Sequence, residues 1–534
     1  MLHKILMRTG AFPSRGRCHG EAVTDEVRPC RKHGRIRNNK FSWHNPVTLI
    51  TSGDERLLNI KMVFSTTGRI LRLEAILLAL PLIVSLIYRE FPAAAAFGIT
   101  IVLCVLLGTL LRLIFRPRDE RIYAAEGFST VALAWVGMSA LGALAFVISR
   151  EIPYFADAFF ETVSGFTTTG ASILTNIEAL SHGMLFWRSF THWVGGMGVL
   201  VFIMALVPNL SDRSIHIMRA EVPGPIVGKL VPRIKDSAKI LYLIYVVLTA
   251  IEATVFIVGG MSVFDGVVHA FATAGTGGFG IKADSVGTYA PHLQWILGIF
   301  MLLFGVNFNL YYLILIKKAK TALKSSELRC YLIIISVSSA LIAFNIRALY
   351  PTVSETVRHA FFQVSSIMTT TGFSSVDFNR WPDFSKALLA VLMLCGGCAG
   401  STAGGLKVAR VMILFKSIGR EFHRLIHPRA VRTVKFEGKP LDEKTTVGVA
   451  NYLVLYVVCL FAVFLALSVE PFGFETNFTA VLSCFNNIGP GLAGVGPMES
   501  FANYSHYGKY LLSFTMLLGR LEIYPLLLAL IPRA

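Results

Sequence analysis

Four short stretches of threonine and glycine recur along the chain, and this recurrence constrains the fold more than any other feature. They are Thr167-Thr168-Thr169-Gly170-Ala171-Ser172, Thr276-Gly277-Gly278-Phe279-Gly280, Thr370-Thr371-Gly372-Phe373-Ser374 and Asn487-Ile488-Gly489-Pro490-Gly491. Their central glycines are Gly170, Gly278, Gly372 and Gly489. With these glycines aligned, successive copies lie about 94 to 117 residues apart. The sequence therefore predicts four similar units, each with its own hydrophobic scaffold, around one axis.

The amino-acid composition places the chain in a membrane. Of its 534 residues, 54% are hydrophobic and 15% are charged, whereas roughly a quarter of the residues in a soluble domain are charged. Mean hydropathy is +0.61, and apolar runs of roughly 20 residues, enough to cross a bilayer, recur. The net charge of +18 fits an excess of Lys and Arg in cytoplasmic loops. We therefore expect no nucleic acid partner.

Two further patterns bear on chemistry. Six cysteines lie in or beside apolar segments, where free thiols are readily buried, so we expect no disulfide framework. Cys395 and Cys398 form a C-x-x-C pair, but no second pair or neighbouring histidine completes a metal site. The sequence also has no glycine-rich phosphate motif between a strand and a helix, so we expect no nucleotide site on this chain.

The apolar runs predict an all-α polytopic membrane protein with ten spans. A hairpin of spans at 71–88 and 93–115 comes first. Each of the four units then has a first span (128–148, 239–259, 330–349, 446–468), a short helix (154–166, 264–274, 357–369, 475–486), a glycine stretch and a second span (186–208, 290–316, 384–416, 507–531). The chain is thus divided into a basic polar tail at 1–57, the hairpin at 58–122 and the four units at 123–236, 237–328, 329–445 and 446–534. The fold expected is four pseudo-symmetric repeats around one pore, preceded by a two-helix hairpin.

Charge gives the orientation. The basic loops 213–235, 317–324 and 416–444 all follow second spans, so they share one side, which should be cytoplasmic. The glycine stretches lie on the other side. Residues 1–57 are polar and basic, without an apolar run long enough for a secretory signal. We expect either a disordered cytoplasmic extension or a translation start further along, near Leu58 or Met62.

The glycine stretches suit a cation. An ion that leaves water needs oxygens that replace its hydration shell, and rings of backbone carbonyls supply them without a permanent charge. Glycine allows the backbone angles that such a loop requires, and the C-terminal end of each short helix adds a partial negative charge. The alternative is that small residues merely let helices pack. Four copies, each after a short helix, favour the ion pathway.

A second unusual run lies inside the second span of the third unit. Residues 395–405 are Gly, Ala, Ser, Thr and Cys only, which predicts a flexible loop inside the membrane, since each glycine costs up to about 1 kcal/mol in a helix. A tightly packed helix of small residues is the alternative. Arg520 in the last span is costly enough near mid-membrane to indicate function. A structural ion pair of Arg520 with Glu522 or Glu252 is the competing interpretation.

Several motifs resemble those of a known family. They are Ser164-Gly165-Phe166-Thr167-Thr168-Thr169-Gly170-Ala171, Arg188-Ser189-Phe190-Thr191-His192-Trp193-Val194-Gly195-Gly196-Met197-Gly198, His269-Ala270-Phe271-Ala272-Thr273, Met368-Thr369-Thr370-Thr371-Gly372-Phe373 and Gly396-Gly397-Cys398-Ala399-Gly400-Ser401-Thr402-Ala403-Gly404-Gly405-Leu406-Lys407. With them, the chain from about residue 64 onward resembles the Trk/Ktr/HKT superfamily of cation transporters. The hairpin before the first unit makes it most similar to the Trk-type potassium uptake subunits of bacteria, because Ktr proteins resemble the four units alone.

The resemblance implies specific site residues. It makes the four stretches a potassium selectivity filter, with Thr168, Thr169, Gly170, Thr276, Gly277, Gly278, Thr370, Thr371, Gly372, Asn487, Ile488 and Gly489 around the ion. In this family glycine in all four loops goes with potassium preference, and serine in the first goes with sodium permeation. Asn487 and Ile488 depart from the pattern, so weaker ion sites are expected there. A movable gate below the filter is implied for Gly396, Gly397, Gly400, Ser401, Thr402, Gly404 and Gly405, with Arg520 as a positive barrier.

The resemblance also implies partners and place. The partners are a second copy of the chain, a cytoplasmic ring that binds nucleotides such as NAD or ATP, and membrane lipid. The basic loops would be docking surfaces for the ring or for anionic lipid. We predict potassium uptake across the bacterial plasma (inner) membrane by a multi-pass protein with both termini in the cytoplasm. The alternatives are sodium or mixed sodium and potassium transport, and an intramembrane thiol enzyme using Cys395 and Cys398. Passive flux and coupling to protons or sodium stay open.

Overall fold

The computed structural model describes residues 59–117, 124–198, 234–430 and 432–530, and these are mostly helical. Within these ranges, six helical segments are long and apolar enough to cross a bilayer: Ile60–Ile87, Phe91–Ile114, Glu126–Ser149, Ala238–Val258, Ser326–Ile346 and Glu443–Leu467. The all-α polytopic fold class is thereby confirmed. The expected tail at 1–57 and most of the basic loop at 213–235 lie outside the described residues.

The N-terminal hairpin consists of three helices. These are α1 (Ile60–Leu77), α2 (Ala79–Ile87) and α3 (Phe91–Ile114). Gly68 of α1 and Gly108 of α3 let the two backbones touch, because a methyl group on either glycine would come within 2.6 Å of the other's carbonyl oxygen. The first span begins earlier than predicted because Asn59 caps α1, accepting a hydrogen bond from Met62 N at 3.1 Å.

Four long helices are each followed by a short one. The long helices are α4 (Ala124–Ser149), α7 (Ile234–Val258), α12 (Ser326–Ile346) and α16 (Glu443–Leu467). The short helices are α5 (Phe155–Phe166), α8 (Val263–Ala274), α13 (Val353–Met368) and α17 (Phe474–Asn486). At about 1.5 Å per residue the short helices cannot span a bilayer. They are instead buried among the long helices, and each ends at one of the glycine stretches.

The helices that follow the glycine stretches are short or broken. They are α6 (His182–Gly196), the pair α9 (Pro291–Phe304) and α10 (Phe308–Leu315), the pair α14 (Asp383–Met393) and α15 (Val408–Ile426), and the pair α18 (His506–Arg520) and α19 (Tyr524–Leu530). The predictions of unbroken spans at 290–316 and 507–531 are wrong. Helices α9 and α10 meet at 90°, and Glu522 and Ile523 between α18 and α19 have positive φ angles of 56° and 63°. For the predicted span 186–208, residues after 198 lie outside the described part.

The remaining elements are small. Helix α11 (Ala319–Leu323) precedes α12. Strands β1 (Lys435–Phe436) and β2 (Lys439–Pro440) form an antiparallel hairpin. Its turn residues Glu437 and Gly438 both have positive φ, at 49° and 76°, as a two-residue type I′ turn requires. Short 3-10 helices occur at Ile177–Ala179, Phe378–Arg380, Ala493–Val495 and Phe501–Asn503.

Candidate functional site: a ring of glycine loops above an intramembrane loop

All four short helices end in the same way. The residue at each end is left-handed, with φ of 55° at Thr168, 55° at Thr276, 54° at Thr370 and 55° at Asn487. The next amide then bonds back into the helix, from Thr169 to Ser164, Gly277 to Ala272, Thr371 to Ser366 and Ile488 to Ser483, at 2.8–3.0 Å. This termination satisfies carbonyls that the helix end would leave unpaired. The unusual fourth stretch keeps this backbone, since asparagine adopts left-handed angles more readily than threonine.

The four central glycines form a closed ring. Gly170, Gly278, Gly372 and Gly489 have φ of 78°, 74°, 88° and 102°, a region that glycine adopts without steric cost. A methyl group on Gly170 would overlap the carbonyl oxygen of Gly277. In the same way Gly278 faces the Thr371 carbonyl, Gly372 faces that of Ile488, and Gly489 faces that of Thr169 at 2.8 Å. The contacts run from loop one to two, three, four and back to one, so the predicted residues converge on one axis.

Side-chain oxygens lie just before the carbonyl ring, on the four left-handed residues. Thr168 Oγ1 and Asn487 Oδ1 are buried without a hydrogen-bond partner among the described residues. Thr276 Oγ1 donates to Gly275 O at 2.6 Å, while Thr370 Oγ1 accepts from Gly404 N at 2.7 Å. Buried oxygens without donors are costly unless something fills their place. On the other face of the ring, a cavity of about 310 Å³ is lined by all four central glycines.

A buried ion pair supports the first two loops from behind. Arg188 and Glu161 have side chains 2% and 0% exposed, and Arg188 Nη2 lies 2.7 Å from Glu161 Oε1. Glu161 also accepts from Ser172 Oγ at 2.9 Å and Ile173 N at 3.0 Å in the first loop. Arg188 donates to Gly280 O in the second loop at 3.2 Å and lies 4.0 Å from the ring centre of Phe279. The pair therefore fixes both loops relative to each other.

Breaking this pair is expected to destabilise the protein strongly. Glu161→Leu leaves the Arg188 charge buried and unpaired, which costs about 3–5 kcal/mol. The double variant Glu161→Leu/Arg188→Met is expected to recover much of that loss, since no charge then remains. Arg380→Gln is the control, because Arg380 is 86% exposed beside Asp377 and such pairs contribute about 0–1 kcal/mol. Thermal unfolding in detergent measures all three, and similar losses for Arg380→Gln and Glu161→Leu would contradict the expectation.

Residues 394–407, which we call the gate loop, connect α14 to α15 inside the fold. Its two ends are joined by Gly396 N donating to Leu406 O at 2.8 Å. Cys398 N donates to Gly305 O at 2.9 Å, and Phe308 N donates to Gly400 O at 3.0 Å. The gate loop therefore satisfies the backbone groups exposed by the break between α9 and α10, which irregular backbone at membrane depth requires.

The tip of the gate loop lies directly beneath the glycine ring. Gly404 donates its amide to the Thr370 hydroxyl, and a methyl group on Gly404 would come within 2.6 Å of Asn486 O and 3.2 Å of Asn487 Oδ1. Gly400 and Gly405 have φ of 75° and 65°, so the run of small residues is a turn rather than a packed helix. The structure thus brings Gly404, one of the predicted gate residues, against the third and fourth glycine loops.

A half-buried arginine and a buried lysine hold the gate loop. Arg520 donates to Thr402 O at 3.0 Å and also to the carbonyls of Gly195 and Gly196 at the end of α6. Glu522, one of the expected ion-pair partners of Arg520, pairs with Arg410. Lys407 is 1% exposed, and its ammonium donates to the carbonyls of Ala403 and Gly404. Sequence reasoning did not single out Lys407 as a site residue, although a lysine two residues after a glycine-rich membrane run was a visible signal.

Comparison with known proteins fits this geometry. The profile of the TrkH family, described as cation transport proteins, matches residues 93–533. The Trk system potassium uptake protein TrkH of Salmonella typhimurium is 37% identical over 488 residues, covering 88% of this chain and 99% of that protein. Trk system potassium uptake protein TrkG of Escherichia coli is 31% identical over 478 residues, covering 88% and 97%.

A solved structure agrees as well. The crystal structure of the potassium transporter TrkH from Vibrio parahaemolyticus matches with a TM-score of 0.79 and 32% identity, covering 89% of this chain and 99% of that chain. This is a transporter family rather than an enzyme class, which contradicts the thiol-enzyme alternative at Cys395 and Cys398. From the profile, the identities and the shared fold, the chain belongs to the TrkH family of cation transport proteins.

Proposed function

We propose that this protein carries potassium into a bacterial cell through a pore whose filter is the ring of four glycine loops. The observation that carries the proposal is the closed sequence of contacts from each central glycine to a carbonyl of the next loop. Such a ring offers uncharged oxygens from four sides, which is what a dehydrating cation needs. The filter residues are those predicted above: Thr168, Thr169, Gly170, Thr276, Gly277, Gly278, Thr370, Thr371, Gly372, Asn487, Ile488 and Gly489.

The choice of potassium rests on two arguments. Relatives over most of the chain carry the name of potassium uptake proteins. In the resembling superfamily glycine at all four central positions goes with potassium preference, and this chain has Gly170 in the position where sodium-permeable relatives have serine. Sodium or mixed transport is the rival within the class.

Control of the pore is assigned to the gate loop and Arg520. The loop tip blocks the axis below Thr370, and Arg520 adds a positive charge that a passing cation must meet. We further propose a homodimer in the bacterial inner membrane with both termini in the cytoplasm. A cytoplasmic nucleotide-binding ring would dock on the basic loops 213–235, 317–324 and 416–444, which carry the charge that such docking requires.

Rescue of a potassium-uptake-deficient bacterium at low external potassium tests the function. Wild-type protein, expressed with its regulatory partner, is expected to restore growth and rubidium uptake. Sodium added in excess is expected to lower rubidium uptake only weakly. Failure of a well-expressed, membrane-inserted protein to restore uptake would count against potassium transport, whereas uptake abolished by equal sodium would favour the mixed-ion rival.

A further inference from the structure

One buried carboxylate holds both sides of the gate loop. Glu327, in the first turn of α12, is 4% exposed. Its Oε1 accepts a hydrogen bond from Ala399 N in the gate loop at 2.7 Å and another from Ala409 N in the first turn of α15 at 3.2 Å. A single oxygen therefore links the loop to the helix that follows it. Bonds from amides to a carboxylate are among the stronger hydrogen bonds in proteins.

A second carboxylate joins the same helix end to the cytoplasmic hairpin. Glu437, in the turn between β1 and β2, accepts from Ser325 Oγ at 3.0 Å, Ser326 N at 3.2 Å, Ser326 Oγ at 3.0 Å and Glu327 N at 3.0 Å. A carboxylate at this place caps the free amides of α12. Burial raises the pKa of Glu437, but these bonds outweigh it and hold the pKa below its usual value. Glu437 is therefore ionised at neutral pH.

These contacts form a continuous connection. Glu437 lies on the basic loop 416–444, and the serines that it binds follow directly after the basic loop 317–324. Two of the three proposed docking surfaces thus meet at one carboxylate. The next residue along, Glu327, binds the gate loop.

We propose that Glu327 is a positioning residue that holds the gate loop closed, and that Glu437 couples the cytoplasmic hairpin to it. This inference rests on the proposed gating function. A partner that shifts the hairpin relative to α12 breaks the four bonds of Glu437, loosens the first turn of α12 and weakens the grip of Glu327 on Ala399. The gate loop is the element that has two arrangements, closed and released, and the position of the hairpin shifts the balance between them.

Potassium flux into liposomes without any partner tests the proposal on four variants. Glu327→Gln and Glu327→Asp alter the inner carboxylate, Glu437→Gln alters the outer one, and Glu443→Gln is the control at an exposed glutamate near the hairpin. Flux is expected to rise about tenfold in Glu327→Gln. The change weakens charge-assisted hydrogen bonds, and the free energy lost corresponds to roughly that factor. Glu327→Asp keeps the charge but is one methylene shorter, so a smaller rise is expected. Glu437→Gln should also raise flux, and Glu443→Gln should not.

Labelling of Cys398 reports loop position separately from flux. Cys398 is fully buried in the gate loop, and the other seven cysteines, Cys18, Cys30, Cys104, Cys330, Cys395, Cys459 and Cys484, are replaced by serine in the reporter background. A membrane-permeant maleimide is expected to label Cys398 about tenfold faster after Glu327→Gln, again because a charge-assisted bond is weakened. The ratio of potassium to sodium flux is expected to stay unchanged, since the filter is intact. A damaged fold would lower that ratio, and monodisperse elution confirms folding.

The outcomes separate this inference from the proposed function when Arg520→Ala is measured in parallel. If Arg520→Ala raises flux but Glu327→Gln leaves both flux and Cys398 labelling at wild-type levels, the positioning role is overturned and the gate stands. If Glu327→Gln speeds labelling while neither variant changes flux, the positioning role stands and the gating function falls. Unchanged flux and labelling in Glu437→Gln alone would overturn the coupling to the hairpin.

Discussion

A Gly170→Ser variant is expected to lose selective potassium uptake, with the potassium-to-sodium flux ratio falling roughly 10- to 100-fold, since overpacking of this kind costs about 1–3 kcal/mol. The added carbon would overlap the carbonyl oxygen of Gly277. In the proposed filter that oxygen belongs to the ring that would replace the hydration shell of the ion, so its displacement is expected to widen the filter on one side. The left-handed backbone of Gly170, with φ of 78°, adds strain for any side chain.

Gly260→Ala is the matched control for backbone strain. Gly260 also has a positive φ, of 101°, but a methyl group there would meet nothing within 4 Å. It lies between α7 and α8, away from the glycine ring. Growth at low potassium and rubidium-against-sodium uptake in the rescued bacterium compare the two variants. Equal loss of selectivity in Gly170→Ser and Gly260→Ala would show that strain alone is responsible and would contradict a filter role for Gly170.

The sequence predicted the C-terminal ends of the short helices closely because two independent signals mark them, whereas α13 begins four residues before its predicted start at Val357. Each is an amphipathic run of about a dozen residues, and each is followed by glycine. Predicted bounds of 154–166 and 475–486 compare with Phe155–Phe166 and Phe474–Asn486 in the structure. Their ends are reliable because Thr168 and Asn487 terminate them in a left-handed conformation.

Hydrophobicity could not reveal the breaks in the helices that follow. Residues 290–316 and 507–531 are apolar throughout their length apart from single positions, so they read as continuous spans. The break at Gly305 exists because the gate loop, nearly 100 residues later, supplies its hydrogen bonds. The break after Arg520 is similarly tied to distant groups, since Glu522 pairs with Arg410. Such partners are a property of the tertiary fold.

The partners of the supporting charges could not be predicted for the same reason. Glu161 and Arg188 lie 27 residues apart, and nothing in their local sequence shows that they meet behind the first two glycine loops. In the sequence, Glu327 looks like an ordinary charged residue at the end of a span and Glu437 like one in a basic loop. A buried charge in a membrane protein needs a partner, so the sequence marks such residues as functional candidates without giving their partners.

Replacing Arg520 with Ala is expected to raise partner-free potassium flux in liposomes by tenfold or more. Arg520 joins the gate loop at Thr402 to the end of α6 at Gly196, and hydrogen bonds from a charged group contribute roughly 1.5–3 kcal/mol each. The variant therefore frees the loop and also removes a positive charge from the pore, whose repulsion of a cation about 4 Å away is roughly 1–4 kcal/mol. Removing residues 401–404 is expected to raise flux too, because it takes away the tip under Thr370.

Arg520→Lys separates the two contributions to the barrier. Lysine keeps the charge, but its single ammonium cannot bridge the carbonyls on both sides as a planar guanidinium does. Flux near the Arg520→Ala level would therefore identify the bridge as the main barrier, and flux near wild type would identify the charge. Arg347→Ala, at an exposed arginine at the end of α12, should leave flux unchanged. If Arg520→Ala and the shortened loop both conduct like wild type, this loop does not gate the pore, and the barrier must lie in the filter itself.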